Sequence, residues 1–411
     1  MRVGEGAPRP TVENRLFARG LRTVKLQVSA IRWAILPACL LAVIGFAGHA
    51  GVAQSEPSQT GAIQTGAAAA LQLHVSRNRL VNASGATVVL HGVDRSGTEY
   101  MCVLDNGIFD GPSNKSSILA MKSWDINAVR VMLNEACWNG ESYVNPAYAG
   151  GNYRSAIEAY VRLLNANGLV AILDLTWSDG SYTGPGGCGS AEALCQKPMP
   201  NAAESVPFWS SVARAFKGND AVIFDLFGEP HPSRVLPSET ASWKCWLKGG
   251  SACSPGIQYK VAGMQTLVNT VRATGANNVI MLGGLFFAND LSDWLKYEPK
   301  DPGHNLAASW HSYNFNHCNN LQCWNSQVGP VIASVPVIAG EIGENDCADN
   351  YINPLMVWLD SKSASYLAWS WNVDAGGCAP GDNLISDYSG TPTPYGAGYQ
   401  SHLRALAEHH G

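Results

Sequence analysis

Two glutamates stand at the ends of apolar runs and are followed at once by turn residues: Glu229 in FDLFGEPH and Glu341 in VIAGEIGE. Each sits between a candidate buried strand and a Gly or Pro turn, not on a helix face. A carboxylate in that position is costly unless it is paired or used. Two carboxyls acting on one bond are what glycoside hydrolysis requires: one protonates the departing oxygen while the other attacks or activates water. A gap of about 5–5.5 Å between them gives retention through a covalent intermediate, and a wider gap gives inversion.

That chemistry needs a frame that brings distant strand ends to one place. Eight short apolar runs recur, over residues 87–93, 128–133, 169–175, 221–227, 279–282, 306–310, 335–339 and 366–371. They are continuous rather than alternating, as a parallel sheet buried on both faces demands. Helical spacing fills the gaps, over 156–165, 259–274 and 353–362. Eight strands alternating with helices predict an α/β protein, a (β/α)8 TIM barrel, whose active-site residues project from the C-terminal strand ends. Residues 71–81, followed by the turn Asn82-Ala83-Ser84-Gly85, read as an N-terminal β-hairpin. A doubly wound sheet would want a glycine fingerprint directly after its first strand. The one such spelling, Gly184-Pro-Gly186-Gly-Cys-Gly189, lies well beyond its strand and reads as loop.

The polar residues at the run ends are then the candidates. They are Asp94, Arg130 with Asn134, Asp174 with Thr176 and Trp177, Gly228-Glu229, His311 with Tyr313, Glu341, and Trp371-Asn372. Trp138, Trp177, Trp243, Trp246 and Trp324 fall in predicted loops and are either sugar-stacking faces or packing under those loops. Trp209 falls in a helix and reads as core.

Composition bounds the setting. Residues 2–32 carry seven basic residues against two acidic ones, and an apolar run from Trp33 to Phe46 precedes Gly48-His49-Ala50. Basic, then apolar, then small is the order of a secretory signal. The apolar run is shorter than the roughly 20 residues of a membrane span, and Pro37 interrupts it. The reading is a signal over 1–53, a flexible leader over 54–70, a catalytic domain over 71–411, and a secreted protein with no stable membrane anchor after cleavage. The remaining part is acidic, with 20 basic and 30 acidic residues, so nucleic acid is not an expected partner. Ten cysteines remain once Cys39 leaves, an even set that reads as disulfides. Cys188/Cys195, Cys245/Cys253 and Cys318/Cys323 are close in sequence. Cys102 and Cys137 follow neighbouring strands, as do Cys347 and Cys378, so each of these pairs is a natural partner across adjacent loops. His317-Cys318 with Cys323 invites a metal, but no second pair stands at finger-like spacing; no metal or cofactor is expected.

The chain resembles glycoside hydrolase family 5, within the clan of retaining (β/α)8 glycosidases, across 71–411. The resemblance is carried by LHGVD ending at Asp94, Arg130 in AVRVML, Glu229 in FDLFGEPH, His311 and Tyr313 in WHSYNF, Glu341 in VIAGEIGE and Trp371 in AWSWN. It implies that Glu341 is the nucleophile, held ionised by Arg130 and Tyr313, and that Glu229 is the acid/base and must begin the cycle carrying its proton. It further implies that His311 contacts substrate or tunes the carboxyls and that Trp371 offers a flat face to a sugar. The expected partner is a polysaccharide or oligosaccharide, and the expected state is a monomer. Two positions depart from the pattern. The family has Asn before the acid/base where this chain has Gly228, and often His at the end of the third strand where it has Thr176. The missing amide leaves three outcomes: a water or a side chain such as Asn134 substitutes, the enzyme is slow, or the site only binds sugar. If the amide is limiting, Gly228→Asn should raise the rate, provided that the backbone there is not left-handed. The expected activity is a retaining endo-β-1,4-glucanase. The alternatives are a β-mannanase or other β-glycan hydrolase, and a weakened carbohydrate-binding protein on the same fold. An esterase is disfavoured because no G-x-S-x-G elbow is present.

Overall fold

The computed structural model describes residues 72–184, 189–373, 378 and 382–410. The signal and leader expected over 1–70 lie outside them. Eight parallel strands close into a barrel: β3 (His91–Arg95), β4 (Ala128–Asn134), β5 (Val170–Trp177), β6 (Val222–Asp225), β7 (Ile280–Gly283), β8 (Leu306–Tyr313), β9 (Val337–Gly343) and β10 (Ser365–Ala368). β10 pairs with β3 to complete the ring. All eight lie where the apolar runs predicted them, and every residue of β4, β6, β7, β8, β9 and β10 is buried.

Helices link the strands and cover the outside. Gly151–Ala166 buries Tyr153, Ile157, Tyr160, Val161 and Leu164, one stripe at helical spacing. The helix expected from residue 259 starts later, at Met264, because Val261 and Ala262 instead form isolated bridges to Asn201 and Gly249.

The N-terminal hairpin is present, but it turns earlier than the sequence reading placed it. β1 (His74–Ser76) and β2 (Arg79–Val81) pair antiparallel, with the turn at Arg77-Asn78. Asn82–Gly85 then leads to a lone bridge between Val81 and Thr87. The hairpin has a structural task. Its Leu73 and Leu80 join Leu90, Ala128, Val170, Ile172, Ile223, Val279, Met281, Ala307, Ile338 and Leu367 in an apolar cluster that fills the barrel's N-terminal end. Side chains alternate along a strand, so Ile172 and Asp174 share one face of β5, and Ala128 and Arg130 one face of β4. The barrel interior is thus apolar at the end plugged by the hairpin and charged toward the other.

Candidate active site

Arg130 organises the charged layer. It is fully buried, and its guanidinium meets four carboxylates: Nε to Asp225 at 3.0 Å, Nη1 to Asp94 at 3.0 Å and to Glu341 at 2.8 Å, and Nη2 to Asp174 at 3.1 Å. One cation cannot hold four buried anions ionised. Burial lifts Asp94 well above the usual carboxylate range, raises Asp225, and pushes Asp174 up to about 8, in each case against the pull of Arg130. Glu341 goes the other way. Burial opposes its charge, but His311, Arg130 and the Tyr313 hydrogen bond outweigh burial and hold it below the ordinary glutamate value. The Tyr313 hydroxyl donates to Glu341 Oε2 at 2.6 Å. The three aspartates are thus shifted toward their protonated forms, and Glu341 is the one carboxylate of the layer shifted toward its charged form.

Glu229 stands just beyond β6. His311, on β8, bridges it to Glu341: its Nδ1 lies 3.0 Å from Glu229 Oε1 and 3.5 Å from Glu341 Oε2. Burial disfavours the His311 charge, yet Glu341 and Glu229 overcome it and raise the histidine above its ordinary value. One ligand atom from each of Glu229, His311 and Glu341 lies within 4.8 Å of the others. That spacing brings the two carboxyls near the separation of about 5–5.5 Å at which one can attack while the other donates a proton. The same three atoms are close enough to surround a metal ion, and Arg130 already sets a positive charge against Glu341.

The backbone around Glu229 is held from two sides. His231 is kept neutral, pushed down to about 4 by burial, and its Nδ1 donates to the Glu229 carbonyl at 2.8 Å. Its ring stacks on Phe287 at 4.3 Å. Phe287 belongs to three successive left-handed residues, Phe286, Phe287 and Ala288, with φ of 51°, 59° and 60°. Side-chain-bearing residues adopt that conformation at a cost. The turn joins the two halves of the site, because Phe287 N–H donates to the Pro230 carbonyl and the Ala288 carbonyl accepts from His311 N–H.

Several sequence assignments need correction. Trp371 is fully buried, edge-on to Trp124 with ring centroids 5.0 Å apart, and offers no face to a sugar. The sequence reading carried the last strand to residue 371, but β10 ends at Ala368, and the chain past it turns so that Trp371 N–H reaches the Asp94 carbonyl. Trp369 is the half-buried tryptophan at that strand end. Strand parity could not tell the two apart, since positions 367, 369 and 371 share one face of an extended strand; the end of β10 at Ala368 decides it. Thr176 is nearly buried, and its hydroxyl donates to Asp174 rather than facing a substrate. Trp138, Trp243, Trp246 and Trp324 are buried packing residues, as Trp209 is. Trp177 is half-buried at the end of β5, its ring 6.3 Å from Tyr100. Among the described residues the exposed aromatics are instead Tyr143, Phe286 and Phe315, and Phe315 stacks on Tyr313 at 5.1 Å.

Gly228 does not have a left-handed backbone. Space there is short: a Cβ would stand 2.8 Å from Asp174 Oδ2 and 3.0 Å from Arg130 Nη2, so a side chain requires the Asp174–Arg130 pair to shift. Asn134 is no substitute for the missing amide. Its Oδ1 caps Ala136 and Cys137 N–H, and its Nδ2 donates to the Glu99 and Ala193 carbonyls. A residue the sequence reading missed, Gln196, donates from Nε2 to Glu229 Oε2 at 2.8 Å. It lies in a long loop with no strand or helix to flag it.

Disulfides join Cys102 to Cys137, Cys245 to Cys253, Cys318 to Cys323 and Cys347 to Cys378, as expected. The expected Cys188–Cys195 pair includes Cys188, which lies outside the described residues. No helix among the described residues is long and apolar enough to cross a membrane.

The chain is 22% identical over 324 residues to a mannan endo-1,4-beta-mannosidase of Streptomyces lividans, covering 75% of this chain and 68% of that protein. Its fold matches a β-glucanase of Saccharophagus degradans solved in complex with cellotetraose (TM-score 0.60, 19% identity, 81% of this chain and 93% of that one). It also matches the catalytic domain of a mannanase from Streptomyces sp. SirexAA-E (TM-score 0.55, 19% identity, 84% and 92%). The family described as Cellulase (glycosyl hydrolase family 5) matches residues 81–375, which contain both glutamates, Arg130, His311 and Tyr313. A closed eight-stranded barrel with two carboxyls facing each other at its charged end, matched to that family over most of its length, makes this chain a glycoside hydrolase belonging to family 5.

Proposed function

We propose that this glycosidase cuts β-linked polysaccharide internally and with retention, using Glu341 as nucleophile and Glu229 as acid/base. The observation that carries this reading is the approach of Glu229, His311 and Glu341 to within 4.8 Å of one another at the cleft end of the barrel. In the first step a Glu341 oxygen bonds the anomeric carbon as the glycosidic C–O bond breaks, and the Glu229 proton passes to the leaving oxygen. In the second step Glu229 takes a proton from water, the water oxygen bonds the same carbon, and Glu341 leaves as carboxylate. Arg130 and Tyr313 stabilise that carboxylate at both ends of the cycle. Neither step calls for a metal or organic cofactor. Trp177, Trp369 and Phe315 offer flat faces to pyranose rings along the cleft.

For the substrate, the reading from the sequence is a β-1,4-glucan. Mannan is the second reading, favoured by the curated relative, which is named as a mannosidase. The disulfides fit an oxidising, extracellular setting, and we extend the reading to a secreted enzyme with its catalytic domain over 71–411. The test is a panel of soluble β-glucan, mannan, xylan and xyloglucan. New reducing ends with an early drop in viscosity are expected on glucan or mannan, and proton NMR of the fresh product should show the β-anomer first. An α-anomer first would overturn retention, and inertness on every glycan would leave only a binding protein.

A further inference from the structure

The side chains around the two carboxyls are almost all spent. Arg130 is shared by four carboxylates, Tyr313 holds Glu341, and His311 Nδ1 lies between the two glutamates. Thr176 is bonded to Asp174, Asn134 is used on all sides, and Gly228 has no side chain. Gln196 differs. It is half-buried, and its amide nitrogen carries two hydrogens, one of which serves Glu229 Oε2. Glu229 is thereby held on both oxygens, by His311 on one and Gln196 on the other.

The loop around Gln196 is fixed in place. The next residue, Lys197, is buried and donates to the Ser190 carbonyl at 2.7 Å. The Pro198 carbonyl accepts from His231 N–H at 3.0 Å, two residues beyond the acid itself. Tyr259 donates to the Met199 carbonyl at 2.5 Å. Gln196 and Glu229 are thus held to one frame, which is what a donor needs if it is to act at a transition state without reorganising.

We propose that Gln196 is a substrate-contacting catalytic residue: one N–H orients Glu229, and the other donates to the sugar hydroxyl on the carbon next to the anomeric centre. That hydroxyl and the glycosidic oxygen sit on adjacent carbons. A donor one hydrogen bond from the acid that protonates the second is therefore within reach of the first. Contacts to this hydroxyl strengthen in glycosidase transition states. The proposal rests on the retaining reading above.

The experiment uses the dinitrophenyl β-glycoside of the disaccharide the parent cleaves, and its 2-deoxy counterpart. Dinitrophenolate leaves without a proton, so kcat/KM reports bond breaking with no help from Glu229 as acid. Gln196→Ala should lower kcat/KM on the hydroxylated compound roughly 100-fold. On the 2-deoxy compound variant and parent should nearly coincide. Gln196→Met, of similar length but without a donor, should behave as Gln196→Ala does, and both should melt cooperatively near the parent. Equal loss on both compounds, or no loss on the hydroxylated one, overturns the contact. Loss confined to substrates with a sugar leaving group also overturns it, leaving Gln196 to position Glu229 alone. A parent that turns over no glycoside brings down the hydrolase reading itself, and that result is seen before any variant is made.

Discussion

A charge shared among four carboxylates makes strong claims about single substitutions. Glu341→Ala and Glu229→Ala should each lower turnover by about 1000-fold, with cooperative melting retained, because neither side chain belongs to the apolar core. Unchanged turnover of either variant on a natural glycan would remove that residue from the mechanism. Arg130→Met is different in kind. It leaves Asp94, Asp174, Asp225 and Glu341 without their cation, and removing one partner of a buried pair costs about 3–5 kcal/mol. Protonated aspartates tolerate the loss better, so denaturant melts should show a larger deficit at alkaline than at mildly acidic pH. Gly228→Asn should not improve the enzyme. Its Cβ meets Asp174 and Arg130, and overpacking of this kind costs about 1–3 kcal/mol. A lower Tm with unchanged or lower kcat is expected, and a faster, equally stable variant would show that Asp174 yields easily.

Trp177 closes β5, while Trp369, Phe315 and Gln196 lie in loops beyond the strands, so the restraint of those loops matters for function. Cys102–Cys137 and Cys347–Cys378 tie loops of neighbouring strands across 35 and 31 residues. Closing loops of that length in the unfolded chain is worth about 3–4 kcal/mol in the chain-entropy account. Replacing Cys102 and Cys137 together by Ser should therefore lower Tm by several degrees, with KM rising more than kcat falls if the loops mainly hold the sugar chain. The fifth pairing is tested separately, since non-reduced peptide mapping should return Cys188 linked to Cys195 and no free thiol among the ten.

For the whole molecule, buried acids with raised pKa values set the pH dependence of stability. Burial lifts Asp174 and Asp382 to about 8 and Glu99 to about 7. In the unfolded chain these groups are ionised from about pH 4–5 upward. The folded state thus holds protons that the unfolded state has released, so stability falls as pH rises through the folded values. His311, raised by Glu341 and Glu229 against burial, acts in the same direction. His231, lowered to about 4 by burial, opposes it only below its unfolded value near 6.5. Lys197, lowered to about 8 by burial, opposes it only at higher pH. Thermal unfolding should therefore show a higher Tm at about pH 6.5 than at about pH 8, and the reverse order would mean that the buried aspartates are ionised in the fold.

The barrel and its two glutamates were legible from the chain because both depend on local facts. A strand buried on both faces must be apolar throughout, and a carboxylate directly after such a strand is conspicuous. The pairing of Cys102 with Cys137 and of Cys347 with Cys378 followed from the same reasoning, since neighbouring strands set their loops side by side. What stayed hidden was everything fixed by the meeting of side chains from different strands. Sequence marks Arg130 as a strand-end cation but not as one shared by four carboxylates, and it marks Gly228 as a missing amide but not as a space already filled by Asp174. Trp371 and Trp369 lie two residues apart in one short motif. The point at which β10 stops sends one ring into the core and leaves the other half-buried at the strand end. Gln196 had no local mark at all, because a loop residue acquires its role only from the position of Glu229. Periodicity reports which face of a strand is buried, whereas contact between strands is a property of the closed ring, and only the tertiary structure decides it.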